Sequence, residues 1–414
     1  MSTCVATSID AALLGCGNVG GALARLAERS ATAGFHLNIA QALVRDPVRP
    51  RELPRGRLTF HAESILAGNP DVVIELLGGT DPARRLVLDA LRRGIPVVTA
   101  NKTLLARHGG ELRQAAADAG TALLYEAAVL AGVPFLGTFA RRPNAASATS
   151  LVGIVNGTSN FILTRCAADG GDVARALTDA QRWGYAEPDP RNDTSGVDAC
   201  EKLAVLLQHF AAREVDPDTL ETSGIDAIAP GQLDHARELD GVIKPVVFAD
   251  WTSGLEAFVG PAFVPARHVL ARVDGVDNAL LLGGRHGHLL FQGPGAGPEV
   301  TAAAVLDDVH EIVAGSARCP QAPLRRGRAS APATEWMITI EGDRLPRPAD
   351  VSDLLAAYDI YPHRLTPRDR RCGRERQSLI VFPIDRKRVD EGLRALHDAT
   401  GCSTAALRAL EVLT

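Results

Sequence analysis

Residues Ala11 to Gly20 read AALLGCGNVG, a short apolar run that breaks into G-x-G-x-x-G just before the helical pattern of Gly21–Arg29. Between a strand and a helix, that spacing has a mechanism. Gly15 allows a tight turn, Gly17 lets the backbone come close to a pyrophosphate, and Gly20 lets the helix pack closely on the strand. The helix N-terminus, entered through Asn18 and Val19, then attracts phosphate charge. The competing reading is a glycine-rich turn without a ligand.

The surrounding pattern fits the first reading. Ala11–Leu14, Leu37–Val44, Val72–Leu77, Val97–Ala100 and Ala122–Tyr125 read as strands, and Arg84–Arg93 and Glu111–Asp118 as helices among them. Such alternation predicts βαβ units and a parallel sheet covered on both faces. The second strand ends at Val44 without an acidic residue to hold a ribose hydroxyl. Arg45, Arg49, Arg51, Arg55 and Arg57 follow instead, with Asp46 and Glu52 among them. Arginine there accommodates a 2′-phosphate, which favours NADP, while Asp46 keeps NAD open.

From Leu151 the texture changes to longer helices, Val197–Ala211 the clearest, and strands such as Lys244–Phe248 and Leu289–Gln292. Arg318–Pro332 has the composition of a linker. Beyond it, Trp336–Ile340, Val351–Tyr358, a strand near His363, Ser378–Ile384, Val389–His397 and a last apolar run make the order βαββαβ. The expected class is α/β: a Rossmann-type doubly wound parallel sheet, an α+β catalytic and dimerisation domain, and a small ferredoxin-like C-terminal module.

Composition narrows the partners. The chain has 414 residues, 46% hydrophobic and 22% charged, with a net charge of −5. No polyanion-binding surface is implied, so nucleic acid is not an expected partner. The seven cysteines form no C-x-x-C pair, which argues against a zinc site or a disulfide framework. Neither a signal peptide nor a bilayer-spanning run is visible. A cytoplasmic, reduced protein acting on a small molecule, away from membranes, is expected.

Two lysines stand out. Ile95–Lys102 is a strand that ends in Asn101 and Lys102, at the carboxyl edge where open parallel sheets bind ligands. In Gly184–Leu203, GYAEPDPRNDTSGVDACEKL, Asp198 and Lys202 lie four residues apart and share a helix face. An exposed ion pair is the plain reading. Pro188 and Pro190, however, stiffen a loop that delivers Glu187, Asp189 and Asp193 just before that pair. Several carboxylates beside one lysine suit a substrate that carries an amine and a transferable proton. Hydride transfer to a carbonyl needs a cofactor, positioning and a proton donor, and a lysine can serve as the donor.

These residues resemble the homoserine dehydrogenase family. The resemblance rests on Ala180, Gly184, Asp189-Pro190, Asp193, Gly196, Asp198 and Lys202. Asn101–Ala106, Glu126–Pro134, Asn156–Ile162 and Gly293–Gly297 add to it, over roughly residues 10–315 in the family's order. It implies NAD(P)-dependent interconversion of L-homoserine and L-aspartate 4-semialdehyde, in threonine, methionine and isoleucine biosynthesis. It makes Lys202 and Lys102 the acid–base pair, with Asp198 beside them. Glu187, Asp193 and Asp198 would hold the substrate amine or an ordered water, and Thr158 and Tyr185 would line the pocket. Gly297 would close over the nicotinamide. Backbone carbonyls of Glu126, Val129, Ala131 and Val133 would form a monovalent-cation (Na+) site.

The implied domains are 1–131, NAD(P)-binding and completed by about 293–315; 132–317, catalytic and dimerising; 318–332, a linker; and 333–414, an ACT-like regulatory module. The implied assembly is a homodimer or a higher homo-oligomer. Three positions depart from the pattern. Leu130 stands where small residues are common, and Thr194 replaces an apolar residue. Arg347-Pro-Ala-Asp-Val lacks the glycine of R-P-G-V-L, which puts effector binding in doubt.

An alternative is a related dehydrogenase of a specialised pathway, acting on another amino aldehyde or hydroxy amino acid. A phosphorylating aldehyde dehydrogenase would need a cysteine beside a base, which no cysteine here offers. A nucleotide sensor would not need both lysines and Asp198. His286 and His288 read as solvated, Cys200 as packing, and Arg364–Arg376 as an exposed loop.

Overall fold

The computed structural model describes residues 7–29, 35–46, 48–49, 51–141, 147–169, 173–229, 231–317, 323–371 and 373–410. The first part of the expected linker, and Cys4, Cys319 and Cys372, lie outside these. The chain begins β1 (Thr7–Leu14), α1 (Asn18–Arg29), β2 (Phe35–Leu43), β3 (Leu58–Thr59), β4 (Val72–Glu75), α2 (Ala83–Arg92), β5 (Val97–Thr99) and α3 (Lys102–Ala119). Next come β6 (Leu123–Leu124), α4 (Leu136–Arg141), β7 (Ala148–Ile154), α5 (Gly157–Asp169), α6 (Val173–Arg182), α7 (Arg191–Thr194) and α8 (Val197–Phe210). β8 (Arg213–Glu214), α9 (Gln232–Glu238), β9 (Gly241–Asp250), β10 (Glu256–Pro265), β11 (Asp277–Gly284), β12 (Gly287–Pro294) and α10 (Pro298–Val313) follow. The chain closes with β13 (Arg325–Arg326), β14 (Thr334–Gly342), α11 (Pro348–Ala356), β15 (Pro362–Leu365), β16 (Asp369–Arg371), β17 (Arg374–Ile384), α12 (Arg386–Thr400) and β18 (Ser403–Ala409).

Two compact units result. The first holds Met1–Thr149, Glu201–Thr219 and Gly283–Arg328. Its sheet runs β3-β2-β1-β4-β5-β6 and is parallel throughout. The order reverses between β1 and β4, which leaves a crevice at their carboxyl ends. β1 shows why the strand sits centrally: its last four residues, Ala11–Leu14, are buried, as a strand covered on both faces requires. α10 joins this core late in the chain, its Ala302, Val305 and Val309 packing with Ala22, Leu23 and Phe35.

The second unit holds Ser150–Cys200, Leu220–Leu282 and Ala329–Thr414. Within it the strands run β11-β7-β9-β10-β18-β14-β17-β15, with β16 on β17. The last four of that path, with α11 and α12, have the ferredoxin-like order. Their core is Trp336, Ile338, Leu355, Val381, Leu393 and neighbours. The sheet does not stop there: β18 pairs in parallel with β10 through Ala262↔Arg408 and Phe263↔Ala409. Arg408 lies 4.7 Å from the Phe258 ring and 4.5 Å from the Trp336 ring. Its guanidinium meets both Glu221 oxygens at 2.9 and 2.8 Å.

The Arg364–Arg376 stretch departs from expectation. It forms β15, β16 and the start of β17 rather than an exposed loop, and Arg376 is buried. A guanidinium so placed needs a counter-charge, which Asp369 supplies at 3.4 Å. Among the described residues no helix is long and apolar enough to cross a membrane.

Candidate active site

The dinucleotide loop is built by three glycines with three separate reasons. Gly15 has φ +101°, and a Cβ there would meet the Leu76 carbonyl oxygen at 2.7 Å. At Gly20 a Cβ would meet the Gly15 carbonyl at 2.5 Å, so helix and loop touch through bare backbone. At Gly17 a Cβ would meet nothing within 4 Å; what glycine keeps clear there is open space in front of the α1 N-terminus. That space is a cavity of about 1090 Å³ lined by Gly15–Asn18, Val44–Asp46, Arg49, Arg51, Leu76–Leu77 and Pro298–Glu299, among others. The groups present fit a dinucleotide: a glycine-rich turn, a helix N-terminus, and arginines at the end of β2.

Of those arginines, Arg51 is committed to protein, its Nε donating to the Cys16 carbonyl at 3.1 Å and Nη1 to Arg49 at 3.0 Å. Arg45 and Arg49 are exposed at the rim. Val19 packs partly against the core, and Gly297, at φ +137°, precedes α10.

Glu75, at the end of β4, is fully buried. It accepts from Thr99 Oγ1 at 2.5 Å, Leu77 N–H at 2.8 Å and Asn101 Nδ2 at 3.2 Å. Burial pushes its pKa up, and those donors pull against the rise. Asn101 also donates to the Gly79 carbonyl at 2.7 Å and caps α3 by accepting from Leu104 N–H at 3.1 Å. One buried carboxylate thus ties the loop after β4 to the start of α3, where Lys102 is the first residue and partly buried. Thr103 then donates to Glu201 at 2.7 Å. Glu201 and Lys202 are both buried, at 7% and 8% exposure.

α8 carries Asp198, 7% exposed, one turn before Lys202. Within the second unit, Asn156 at the head of α5 gathers two carboxylates. Its Nδ2 donates to Asp193 Oδ1 at 2.7 Å and to Asp198 Oδ2 at 2.8 Å. Its Oδ1 accepts from Ser159 N–H at 2.8 Å, and Ser159 Oγ donates to the Asp193 carbonyl at 2.9 Å. Thr158 donates to the Tyr185 carbonyl at 2.7 Å. The Tyr185 ring is exposed and packs against Phe161 at 5.1 Å. The Glu187 side chain is exposed. Asp189 is exposed as well and taken by Arg191 at 2.6 Å, which lowers its pKa to about 2.

The Glu126–Val133 turn is shaped by backbone contacts in the first unit. Ala131 N–H donates to Gly295 at 3.1 Å and Gly132 N–H to Pro294 at 3.1 Å. Among the described residues no loop hydrogen bond uses the carbonyls of Val129, Ala131 or Val133. Glu126 accepts from Phe135, Leu136 and Gly137 N–H at 2.7, 3.0 and 2.7 Å, and its own N–H donates to Asp308 at 3.0 Å. Burial raises the pKa of both carboxyls. Leu130, the departure from the family pattern, has φ +53° and is buried. Glycine adopts that conformation freely and leucine does not, which is a physical reason for small residues at this position.

Sequence reading assigned no role to Glu75, Asn101, Thr103, Asn156 or Glu201. Two signals were available: a charged residue closing the apolar run VVIE, and asparagines at the heads of helical patterns.

A doubly wound sheet whose glycine-lined crevice fits a dinucleotide, in a chain that also buries Glu75, Glu201 and Lys202, marks a nicotinamide-dependent oxidoreductase. Residues 15–126 match the model for the homoserine dehydrogenase NAD-binding domain, and residues 134–310 that for homoserine dehydrogenase. The homoserine dehydrogenase of Lactococcus lactis is 37% identical over 74% of this chain and 74% of its own. That of Mycobacterium tuberculosis is 37% identical over 73% and 71%. The crystal structure of a homoserine dehydrogenase from Thiobacillus denitrificans covers 98% of this chain and 99% of its own, with a TM-score of 0.89 and 30% identity. The chain belongs to the homoserine dehydrogenase family.

Proposed function

We propose that this chain interconverts L-homoserine and L-aspartate 4-semialdehyde in threonine, methionine and isoleucine biosynthesis. It would act in the cytoplasm as a homodimer or higher homo-oligomer, with NADP preferred over NAD. The bound dinucleotide supplies or takes up the hydride at the substrate's C4. The protein's own residues do the rest. Lys202, with Lys102, holds and delivers the proton to the C4 oxygen as the aldehyde becomes the alcohol, and takes it back in the reverse direction. Asp198 faces the same side of α8 and keeps the Lys202 amine oriented. Asp193 and Glu187 bind the substrate ammonium, and Thr158 and Tyr185 shape the wall of the pocket. Gly15, Gly17, Asn18, Val19 and Gly20 hold the pyrophosphate, Arg45 the 2′-phosphate, and Gly297 closes on the nicotinamide.

The observation that carries the reading is the Thr103–Glu201 hydrogen bond, 2.7 Å long. It joins the residues next to Lys102 and Lys202, two positions a hundred residues apart in the chain. For the carbonyls of Glu126, Val129, Ala131 and Val133 we propose a sodium ion; a cation there would offset the burial that raises the pKa of the neighbouring Glu126 and Asp308 carboxyls.

Following reduced-nicotinamide absorbance with aspartate semialdehyde, and with NADPH and NADH in turn, tests the proposal. Turnover with the semialdehyde and faster use of NADPH are expected; no turnover with either cofactor refutes it. Leu130 favours a second reading, action on another amino aldehyde, because its bulk sits on the cation turn. Longer substrate analogues would then outrun homoserine, and N-blocked ones would be rejected under either reading, since the carboxylates would be left unpaired.

A further inference from the structure

Away from the residues above, the second unit brings an imidazole and two carboxylates together. His235 and Glu238 are three residues apart on α9 and leave the same side of the helix. Asp369 reaches them from β16. One ligand atom from each of the three lies within 4.8 Å of the others.

His235 is fully buried, and its ring is held at one edge only. Nδ1 lies 2.7 Å from Ser378 Oγ, which lies 2.6 Å from Thr339 Oγ1. Nε2 is buried with no hydrogen-bond partner; Asp369 Oδ1, at 3.6 Å, is beyond hydrogen-bond reach. When Nδ1–H donates to Ser378 and Ser378 donates to Thr339, Nε2 presents a bare lone pair toward two carboxylates. Lone pair against negative charge is unfavourable by itself and favourable around a cation. A histidine whose far nitrogen is fixed by a hydroxyl is the usual support for a metal ligand.

The neighbouring charge permits an ion. Arg376 Nε lies 3.4 Å from Asp369 Oδ1, and the Glu238 carboxylate adds a second acidic group to the cluster. A tetrahedral ion with bonds of about 2.0–2.2 Å spaces its ligands roughly 3.4 Å apart. The 3.6 Å between His235 and Asp369 already meets that separation, and the exposed Glu238 side chain has the freedom to close the third position.

We propose that His235 Nε2, Glu238 and Asp369 bind one divalent transition-metal ion, which clips α9 to β16 of the C-terminal module. One imidazole with two carboxylates suits zinc better than magnesium or calcium, which take all-oxygen sets, and leaves a fourth position for water.

The test uses the full chain, stripped with a chelator and titrated with zinc chloride alone by calorimetry, with bound metal counted by mass spectrometry. One zinc per chain is expected, with a rise in melting temperature on binding. Glu238→Gln, at an exposed position that leaves the fold intact, weakens binding by ~10-fold or more and removes the melting shift; His235→Asn does the same. Cobalt substitution reads the ligands separately, through a d–d spectrum without thiolate charge-transfer bands. No zinc uptake at micromolar concentration overturns the proposal. So does equal uptake by Glu238→Gln, or a cobalt spectrum that shows cysteine ligation. None of these readouts depends on the substrate proposed above.

Discussion

Thr103 donates its hydroxyl to the buried Glu201 carboxylate at 2.7 Å, and each of them is the chain neighbour of a lysine. Further along the same two helices, Gln208 Nε2 donates to the Leu105 carbonyl at 2.9 Å. A Cβ on Gly109 would strike the Gln208 amide at 2.0 Å, so glycine there lets α3 and α8 lie close. The two helices are therefore pinned at two levels. Thr103→Val keeps the side-chain shape and removes a donor from a buried carboxylate, a loss of about 1–3 kcal/mol. Turnover is expected to fall by ~10-fold with the KM for dinucleotide unchanged, and Thr103→Ser to restore most of it. Steady-state kinetics in both substrates checks this; an unaltered kcat would show the clamp to be idle.

Lys202→Ala tests the proposed proton donor directly. Turnover is expected to drop by about 10²-fold or more, the range for a positioned general acid, while the dinucleotide still binds. Fluorescence titration of the reduced cofactor separates the two effects. A variant that turns over normally removes Lys202 from the chemistry.

Asn156→Ala takes one donor from two carboxylates at once, since the same amide reaches Asp193 and Asp198. Two like charges lose the group that holds them side by side. The expected result is a fall in kcat/KM for the amino-acid substrate of ~10–100-fold, from the 1–3 kcal/mol of an orphaned buried group. KM for the dinucleotide is the control, and a change confined to it would contradict the assignment.

Periodicity carried most of the architecture, for a reason particular to this sequence. β1, β4 and β5 are short apolar runs between glycine- or helix-rich stretches, so strand and helix were separable without tertiary information. The sheet's extent was not: nothing in Ser403–Ala409 announces that its end pairs with β10 as well as β14. Lys102, Asp198 and Lys202 could be proposed from sequence because ionisable residues stood at a strand end or one turn apart. Glu75 and Asn156 were harder. Their importance comes from partners far away in the chain, and a buried hydrogen-bond hub has no local spacing to betray it. Arg376 was missed for the same reason, its burial being set by Asp369 and the close approach of Gly231.

Arg45 and Arg49 are the exposed cations at the end of β2 that line the dinucleotide cavity. Arg51, by contrast, is spent on backbone carbonyls. Replacing Arg45 and Arg49 together with alanine is expected to raise the KM for NADPH by ~10-fold, one lost charge-assisted contact or two, and to leave that for NADH within about twofold. Parallel kinetics with the two cofactors decides it. Equal loss for both would mean that neither arginine reads the 2′-phosphate.

His209 sets part of the acid limit of folding. Burial, aided by Arg113, lowers its pKa to about 4, and its Nδ1 lies 3.2 Å from Tyr125 Oη. In the unfolded chain the same ring titrates near 6.5, so between those values the unfolded state binds the extra proton. The neutral, partly buried ring therefore contributes fully above about pH 6.5, and its contribution is lost as pH falls toward 4. That amounts to about 2 kcal/mol between pH 7 and pH 5. His209→Asn, whose amide can still meet Tyr125, should lose less stability over the same interval when urea unfolding is followed at each pH. The buried Glu75 and Asp308, raised in pKa, act in the opposite sense in both proteins and cancel in the comparison. Parallel stability curves for wild type and variant would mean that His209 titrates alike in the folded and unfolded chain, its pKa not lowered by the fold.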